Sequence, residues 1–262
     1  MVKGLYTAYS GMINEQHRMD TLTNNLANAS TTGFKKEGAT SQSFNDMLTY
    51  RIKDGMDGIA GAANIGSNRP GVKIGENYTD YSQGSFRETG KDLDVAISGE
   101  GFFEIEYRNR ADETMTMYTR DGAFTMTSEG YLVTKDGDYV MGAGANGNSV
   151  RIRLNPVLPV SISQSGVIAQ NNINVAQLKL VDFEDYNYLE HYGENFYQAV
   201  EGAQITNSDG KFFAGFLEAS NVQVVSEMVE LISVTRQYES NQKLIQTYDE
   251  TLETAVTQIG RL

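Results

Sequence analysis

Cysteine and tryptophan are absent from the sequence, and proline occurs 3 times in 262 residues. Without cysteine the chain can form no disulfide, no thiolate nucleophile and no cysteine-ligated zinc or iron–sulfur site. Two imidazoles remain, His17 and His191, and neither has a second histidine at helical spacing with which to hold a metal. The composition therefore excludes thiol chemistry and predicts no metal site.

Basic residues are also scarce, since 21 Lys and Arg stand against 34 Asp and Glu and give a formal net charge of −13. Phosphate contacts dominate nucleic-acid affinity, so this charge and the lack of a basic block argue against nucleic acid or an anionic membrane surface as a partner. No run approaches the ~18 apolar residues of a membrane span, and Met1–Ser10 lacks the core of a signal peptide. We therefore expect neither a membrane-spanning protein nor export through a cleaved signal peptide.

Near the start of the chain an apolar residue recurs every seven positions, at Leu5, Met12, Met19 and Leu26. This spacing predicts an amphipathic helix over residues 2–28 with a thin apolar stripe. Gly11 weakens such a helix by about 1 kcal/mol relative to alanine.

The end of the chain repeats the pattern over six positions, Val224, Leu231, Tyr238, Ile245, Leu252 and Ile259. Ser220–Gln223 has the form of a capping box, and no proline or glycine follows before Gly260. The pattern predicts one long helix over 221–262, roughly 60 Å in length at ~1.5 Å per residue. Because one copy offers too little apolar surface to bury both stripes, they favour many copies packed side by side.

The residue composition changes twice in the middle of the chain. Residues 54–90 are rich in glycine without apolar periodicity, whereas 91–219 contain short β-rich runs separated by turn dipeptides such as Asp121-Gly122, Glu129-Gly130 and Asp136-Gly137. We therefore predict an α+β fold with an all-β central domain inserted between terminal helices that pair as a coiled coil. The expected domains are 1–33 with 220–262 (helical), 34–90 (an extended connecting segment) and 91–219 (β-rich).

Two motifs suggest chemistry but lack its context. Gly142–Gly147 matches the dinucleotide pattern G-x-G-x-x-G, yet it runs into a strand-like stretch instead of opening a helix, so a loop between strands is the better interpretation. Asp136-Gly137-Asp138 lacks the further ligands of a calcium loop. The other carboxylates are scattered, and we predict no catalytic, cofactor-binding or metal site and no small-molecule substrate.

The stretch Thr23–Lys35 (TNNLANASTTGFK) resembles the signature of bacterial flagellar rod and hook proteins, an axial family with an N-N-L-A-N-x-x-T-x-G-F/Y-K motif. Further blocks agree with the family in order: Leu93–Phe103, Tyr118–Phe124, Gly193–Tyr197 and Leu217–Val222. The matches span nearly the whole chain.

The resemblance implies a non-enzymatic, cofactor-free subunit of the basal-body rod, which polymerises into the drive shaft between motor and hook. It implies an inner tube of paired terminal helices, an outer β domain, and partners that are copies of the chain, other rod and hook proteins and the flagellar type III export apparatus. In the family the Asn-rich stretch belongs to the inner tube. The expected assembly interface comprises Leu5, Met12, Met19, Asn24, Asn25, Leu26, Ala27, Asn28, Leu231, Tyr238, Ile245, Leu252 and Ile259.

Alternatives remain open at this point. Within the family, the length and Phe44–Tyr50 are similar to the distal rod member, while Leu5–Ala8 with Asn28–Thr31 is also similar to the proximal one, and a hook or hook-associated subunit is a further possibility. The Asn-rich stretch is also typical of a simple helix end. Outside the family, the chain could be a secreted β-domain adhesin with a coiled-coil anchor, or a hydrolase that uses carboxylates of the β domain.

Overall fold

A computed structural model of the chain describes residues 2–52, 62–68, 71–109, 113–144, 148–193, 195–206 and 208–259. The chain divides into two compact units. The helical unit comprises Met1–Leu26, Glu37–Asp80 and Gln223–Leu262, and the β unit comprises Ala27–Lys36 and Tyr81–Val222. A helix at each end of a mostly β chain confirms the predicted α+β fold class.

Two helices dominate the helical unit. The first, α1, spans Val2–Ala27, and the second, α2, spans Val224–Thr254 and continues as a π-helical turn over Ala255–Ile259. The predicted capping box is wrong, because α2 starts after Gln223, which makes no side-chain cap bond. Ser220 instead uses its hydroxyl locally and accepts a hydrogen bond from the Val222 N–H at 3.2 Å.

The two helices run antiparallel and pair along α1. The alignment follows from contacts that recur about every two turns of α1: Gly4 with Tyr248, Gly11 with Asn241, Arg18 with Glu230 and Asn25 with Glu227. Successive partners on α1 lie seven residues apart, which is the heptad spacing of a coiled coil.

The glycines of α1 have a packing role in this pair. A Cβ at Gly4 would lie 2.5 Å from the Tyr248 hydroxyl oxygen, and one at Gly11 would lie 3.1 Å from Asn241 Nδ2. Both glycines therefore leave room for a side chain of α2 against the α1 backbone. Gly11 lowers the helix propensity of α1, but its lack of a side chain permits this close approach.

Four strands complete the described part of the helical unit. β1 (Glu37–Ser43) pairs antiparallel with β4 (Val72–Thr79), and β2 (Met47–Ile52) pairs with β3 (Ala62–Asn68). The sequence predicts an extended connecting segment over 34–90, whereas much of the described part of this region forms antiparallel ladders. Glycine and small polar residues in β1 and β4 hide the alternation that identifies a strand.

The β unit contains the remaining strands of the described ranges. They are β5 Phe86–Glu88, β6 Val95–Ser98, β7 Phe102–Arg108, β8 Thr114–Thr119, β9 Thr125–Met126, β10 Leu132–Val133, β11 Tyr139–Ala143, β12 Ser149–Arg151, β13 Val160–Ile162, β14 Val167–Gln170, β15 Ile173–Gln177, β16 Leu180–Phe183, β17 Leu189–Tyr192, β18 Phe196–Ala199, β19 Ile205–Thr206, β20 Lys211–Ala214 and β21 Phe216–Glu218. A short 3-10 helix, Tyr186–Tyr188, precedes β17.

The largest sheet has the order β17-β18-β8-β7-β11-β10-β9, with β12 paired to β11, β16 paired to β7, and β19 paired to β16. A second sheet has the order β13-β14-β15, and β20 pairs with β6 as β21 does with β5. Every one of these described pairings is antiparallel.

Adjacent phenylalanines on β7 place the core on both sides of this sheet. Phe103 belongs to a cluster with Val95, Ile97 and Phe124, whereas Phe102 packs with Tyr197 and other residues of a second cluster. Successive strand residues point to opposite faces, so the Phe102-Phe103 pair of the family block anchors both clusters.

The turn dipeptides behave differently from one another. Asp136-Gly137 turns the chain between β10 and β11 with Gly137 at φ 98°, and Glu129-Gly130 turns it between β9 and β10. The prediction for Asp121-Gly122 is wrong, because Ala123 goes on to bridge Asp94 instead of returning beside β8. The Asp121 carboxylate holds this passage by accepting the Ala123 N–H at 3.0 Å.

Candidate assembly surface

Asn25, a residue of the Asn-rich signature, is fully buried near the end of α1. Its Nδ2 donates to the Glu37 carbonyl at 2.7 Å and to Glu227 Oε2 at 3.3 Å, while its Oδ1 accepts the Glu37 N–H at 2.9 Å. One amide therefore ties together α1, the start of β1 and the first turn of α2. The hydrogen bonds of its side chain are therefore made within the helical unit of its own chain.

The neighbours of Asn25 are more accessible. Asn24 and Ala27 are exposed, whereas Leu26 and Asn28 are half-buried. Asn28 Oδ1 accepts a hydrogen bond from the Thr31 hydroxyl at 3.1 Å, which matches the helix-end role that asparagine commonly plays.

Three charged residues from three signature blocks meet inside the β unit. Lys35 Nζ lies 2.6 Å from Glu218 Oε1, and Arg120 Nη1 lies 3.3 Å from Glu218 Oε2. The three side chains are at most 3% exposed. Lys35 Nζ also donates to the Ser82 carbonyl at 2.8 Å, and the guanidinium of Arg120 lies 5.2 Å from the centre of the Phe102 ring.

All three residues lie inside the family blocks, and none of them is among the interface positions predicted from the sequence. Lys35 follows Phe34 and Glu218 lies between Leu217 and Ala219, which is the available sequence signal for buried charges, whereas Arg120 lies between Thr119 and Asp121 and carries no such signal.

Further contacts in the β unit involve the same blocks. Thr32 donates its hydroxyl to Asp121 Oδ1 at 2.8 Å, and Asn221 Oδ1 accepts the Lys36 N–H at 2.8 Å. Asn221 Nδ2 also donates to the Ser82 hydroxyl at 3.1 Å. The signature blocks, distant in sequence, are therefore hydrogen-bonded to each other within this unit.

Most residues of the predicted apolar stripes lie on the paired faces of the two helices. Leu5, Met12, Met19 and Leu26 of α1 are all half-buried, as are Leu231, Tyr238 and Ile245 of α2. Leu252 is 39% exposed, because it lies on α2 past Tyr248, the partner of Gly4 near the start of α1. The side chain of Ile259 lies outside the described residues.

Apolar burial is sparse in the described part of the helical unit. Its fully buried apolar side chains are Ala8, Leu22 and Val234. Large apolar side chains are instead exposed on both helices and on the strands beside α1: Tyr6, Tyr9, Ile13, Phe44, Met47, Leu48, Ile74, Tyr78, Val224, Val225, Met228, Val229, Ile232, Leu244, Leu252 and Val256. Exposed apolar surface on this scale marks an interaction surface.

The β unit has a cavity of about 380 Å³ beside Asp121, Lys135, Asp136 and Tyr192. Asp121 acts within the fold, since it accepts hydrogen bonds from Thr32 and Ala123 and pairs with Lys135 at 3.5 Å. Such an arrangement offers no acid and base positioned around a shared substrate.

Among the residues that the structure describes, no group of three or more His, Asp or Glu side chains is arranged to hold a metal. Gly142 lies within β11, Gly144 follows it in the connection to β12, and residues 145–147 of the G-x-G-x-x-G match lie outside the described ranges. His191 packs edge-on against Phe34 and Tyr197 at 6.4 and 5.4 Å between ring centres. Neither described helix is both long and apolar enough to cross a membrane.

Three family models match the chain in order. Residues 5–35 match the flagella basal body rod protein model, residues 96–170 the flagellar hook protein FlgE/F/G D1 domain, and residues 214–259 the flagellar basal body rod FlgEFG protein C-terminal model. The first and third matches cover most of α1 and α2, and the second covers β7–β14.

Full-length relatives agree with these matches. The chain is 33% identical to the flagellar basal-body rod protein FlgF of Caulobacter vibrioides over 100% of both chains. It is 33% identical to FlgG of Bacillus subtilis over 98% of both chains, and 34% identical to FlgG of Borreliella burgdorferi over 96% of this chain and 97% of that protein.

Proposed function

Since the chain belongs to the flagellar basal-body rod protein family and is a structural subunit of the rod, we propose that its helical unit drives polymerisation. In this proposal the terminal helices of neighbouring copies pack together as the wall of an inner tube. The β unit supplies the outer part of the shaft. Other rod and hook proteins continue the same packing at the two ends of the segment that this chain forms.

The observation that carries the proposal is the imbalance of apolar burial in the helical unit. Three small or medium apolar side chains are fully buried in its described part, while aromatic and aliphatic side chains are exposed on both helices. Hydrophobic burial is the dominant favourable term in folding and association, so this surface gains most by contact with other subunits. Among the interface positions predicted from the sequence, Asn24, Ala27 and Leu252 are exposed in the single copy and fit contacts between copies.

The chain is proposed to act without catalysis or a cofactor. Asp121 accepts the Ala123 N–H, and Glu218 is paired with Lys35 and Arg120 in a buried network, so both acids have roles within the fold.

We also propose that the chain leaves the cell through the flagellum's own type III channel and retains α1 after export. Ala8 and Leu22 of α1 are buried in the helical unit, so cleavage within this helix would remove part of the unit's core. Mass spectrometry of the chain from isolated basal bodies tests this proposal, and an N-terminus inside residues 2–27 contradicts it.

A deletion strain of the source bacterium tests the main proposal. Electron microscopy of its basal bodies should show a missing or shortened rod, and the cells should be non-motile until the gene is restored. A complete rod and normal motility in the deletion strain would refute the proposed function.

A variant at Leu252 tests the role of the helical unit. Leu252→Asp places a charge on a side chain that is already 39% exposed in the single copy, so the copy should fold while rod assembly fails. Thr251→Asp is the matched control, since Thr251 is an exposed neighbour on the same helix. Equal motility in the two variants would show that Leu252 lies outside the contacts between copies.

A further inference from the structure

An open apolar groove runs along α1 in the helical unit, with a volume of about 610 Å³. Its walls are Tyr6, Tyr9 and Ile13 of α1 and, from the neighbouring strands and their connection, Phe44, Met47 and Ile74. Tyr6 and Met47 are 64% and 63% exposed. Aromatic side chains present about 150–250 Å² each, so the three aromatics of the groove expose on the order of 300 Å² to solvent.

A second apolar surface lies on the first turns of α2. Val225, Met228, Val229 and Ile232 occupy positions i, i+3, i+4 and i+7, and they are 77%, 47%, 63% and 54% exposed. This spacing is the one by which an amphipathic helix enters an apolar groove. We call these four residues the α2 stripe.

The α2 stripe cannot reach the groove of its own chain. At about 100° per residue, the stripe lies on the side of α2 opposite Glu227, Leu231 and Val234, the residues that face α1. Tyr6, Tyr9 and Ile13 likewise lie on the side of α1 that faces away from Gly4 and Gly11, where α2 packs.

We propose that the α2 stripe of one copy docks in the α1 groove of the next copy. The inference rests on the proposed function, and it adds which two surfaces meet. A patch that binds a different patch on an identical copy forms a head-to-tail contact, which leaves a free groove at one end and a free stripe at the other. Repetition of this contact builds an open helical series, as a rod requires, when the rotation between copies does not close into a ring.

The two surfaces match in length and in chemistry. Tyr6 to Ile13 and Val225 to Ile232 each cover seven residue steps, or about 10 Å of helix. The stripe contains no charged residue, and the groove lining contains Lys73. Docking therefore removes apolar surface from water with little desolvation of charge.

Charge complementarity continues the match past both apolar segments. On α1 the exposed side chain seven residues past Ile13 is the acidic Asp20. On α2 the same side past Ile232 carries two basic residues, Arg236 and Lys243, and one acidic residue, Glu239. In a parallel alignment with Ile13 level with Ile232, Asp20 is level with Glu239 and lies about one helical turn from both Arg236 and Lys243, so the segment around it is net basic, and the proposal uses that alignment.

Engineered disulfides test the contact in the full chain, which has no cysteine of its own. The doubly substituted chain Ile13→Cys/Ile232→Cys is expressed in the deletion strain, basal bodies are isolated, and mild oxidation is followed by non-reducing electrophoresis. A head-to-tail contact should yield a ladder of dimers, trimers and longer multimers. Each single-cysteine variant should remain monomeric, because neither position meets itself.

Two matched pairs check the register. Tyr6→Cys/Ile232→Cys reports an antiparallel alignment, and Ile13→Cys/Thr247→Cys places the second thiol about 22 Å further along α2. Both should lose the ladder. A ladder from either pair, or none from Ile13→Cys/Ile232→Cys in rods of normal appearance, overturns the proposed contact.

A charge exchange provides a second measurement that does not depend on oxidation. Asp20→Arg and Arg236→Asp should each reduce swimming speed, and the two together should restore it. Additive defects in the double variant overturn the alignment.

Failure of this inference is distinguishable from failure of the proposed function. If the deletion strain builds a complete rod, the proposed function fails. Ser226→Asp is the control for Val229→Asp, because Ser226 lies on α2 outside the stripe. If the wild-type gene is required but the two variants affect rod assembly equally, the α2 stripe is not an interface. If Val229→Asp blocks assembly while the cysteine pair forms no ladder, the stripe binds a different axial protein and the contact between copies is wrong.

Discussion

Lys35 and Glu218 form an ion pair of 2.6 Å between side chains that are each 1% exposed, although the residues are 183 positions apart. Arg120 lies on the second oxygen of the same carboxylate at 3.3 Å. The carboxylate also accepts the Gly84 N–H at 2.9 Å. One buried side chain thus connects four distant segments of the β unit, and its loss leaves two cations without their shared counter-charge.

Removing the charge of Glu218 should therefore destabilise the β unit strongly. We expect Glu218→Gln to lower the free energy of unfolding by about 3–5 kcal/mol, the range found when one partner of a buried pair is removed. Urea denaturation followed by circular dichroism measures this loss. Glu106→Gln is the control, because its partner Arg151 is 46% exposed and such pairs contribute about 0–1 kcal/mol. Equal losses in the two variants would contradict a special role for Glu218.

Asn25 should be needed for the stability of the helical unit. Asn25→Ala removes the donors to the Glu37 carbonyl and to Glu227 and the acceptor for the Glu37 N–H, and so leaves buried polar groups unpaired. We expect a loss of about 1–3 kcal/mol in stability of the helix pair. Thermal melting of the helical circular dichroism signal measures it. Asn24→Ala, at the exposed neighbouring position, should change the melting temperature little. A larger loss in Asn24→Ala than in Asn25→Ala would contradict the role given to the hydrogen bonds of Asn25.

The burial of Tyr118 predicts that the free energy of unfolding falls at alkaline pH. Burial raises the pKa of Tyr118 to about 12, and the nearby Glu104 carboxylate adds to the rise. Tyrosines of an unfolded chain ionise near pH 10, so the stabilisation from keeping Tyr118 neutral is complete below that pH. It is lost as the pH rises from about 10 to about 12, because unfolding then releases a proton.

Tyr118→Phe should therefore reduce the fall in the free energy of unfolding across this pH range. Urea titrations at a series of pH values measure the slope, and Tyr188→Phe, at an exposed tyrosine, is the control. A slope in Tyr118→Phe as steep as in the wild type would show that another group dominates the alkaline response.

The helices and the class of fold could be predicted because their signals are local and repeat. Leu5, Met12 and Met19 identify α1 through spacing alone. The partner alignment could not be predicted in this way, since it depends on Gly4 and Gly11 admitting Tyr248 and Asn241 across the helix pair. A glycine in a helix looks like a defect until the opposing side chain is known.

The strands over residues 37–79 were missed for a related reason. β1 is built from small and polar residues such as Ala39 and Ser41, and its stability comes from pairing with β4 and from the hydrogen bond of Asn14 to Ser41 at 2.9 Å. Strand preference depends on such neighbours more than on the residues themselves. The buried network was likewise hidden, because the sequence does not reveal that Lys35, Arg120 and Glu218 converge.

Ile245 separates contacts inside one copy from contacts between copies. The heptad pattern predicts it as an interface residue, and the structure places it half-buried on the side of α2 that faces α1. Ile245→Asp should therefore destabilise the helix pair even in a single copy, since a charge enters a partly dry seam between the contacts of Gly4 with Tyr248 and of Gly11 with Asn241. Gln246→Asp adds the same charge at the adjacent exposed position and should leave the pair intact. Thermal melting of the purified chain at low concentration decides between the two roles: a lower melting temperature in Ile245→Asp alone supports the intrachain seam, whereas unchanged melting together with lost motility assigns Ile245 to contacts between copies.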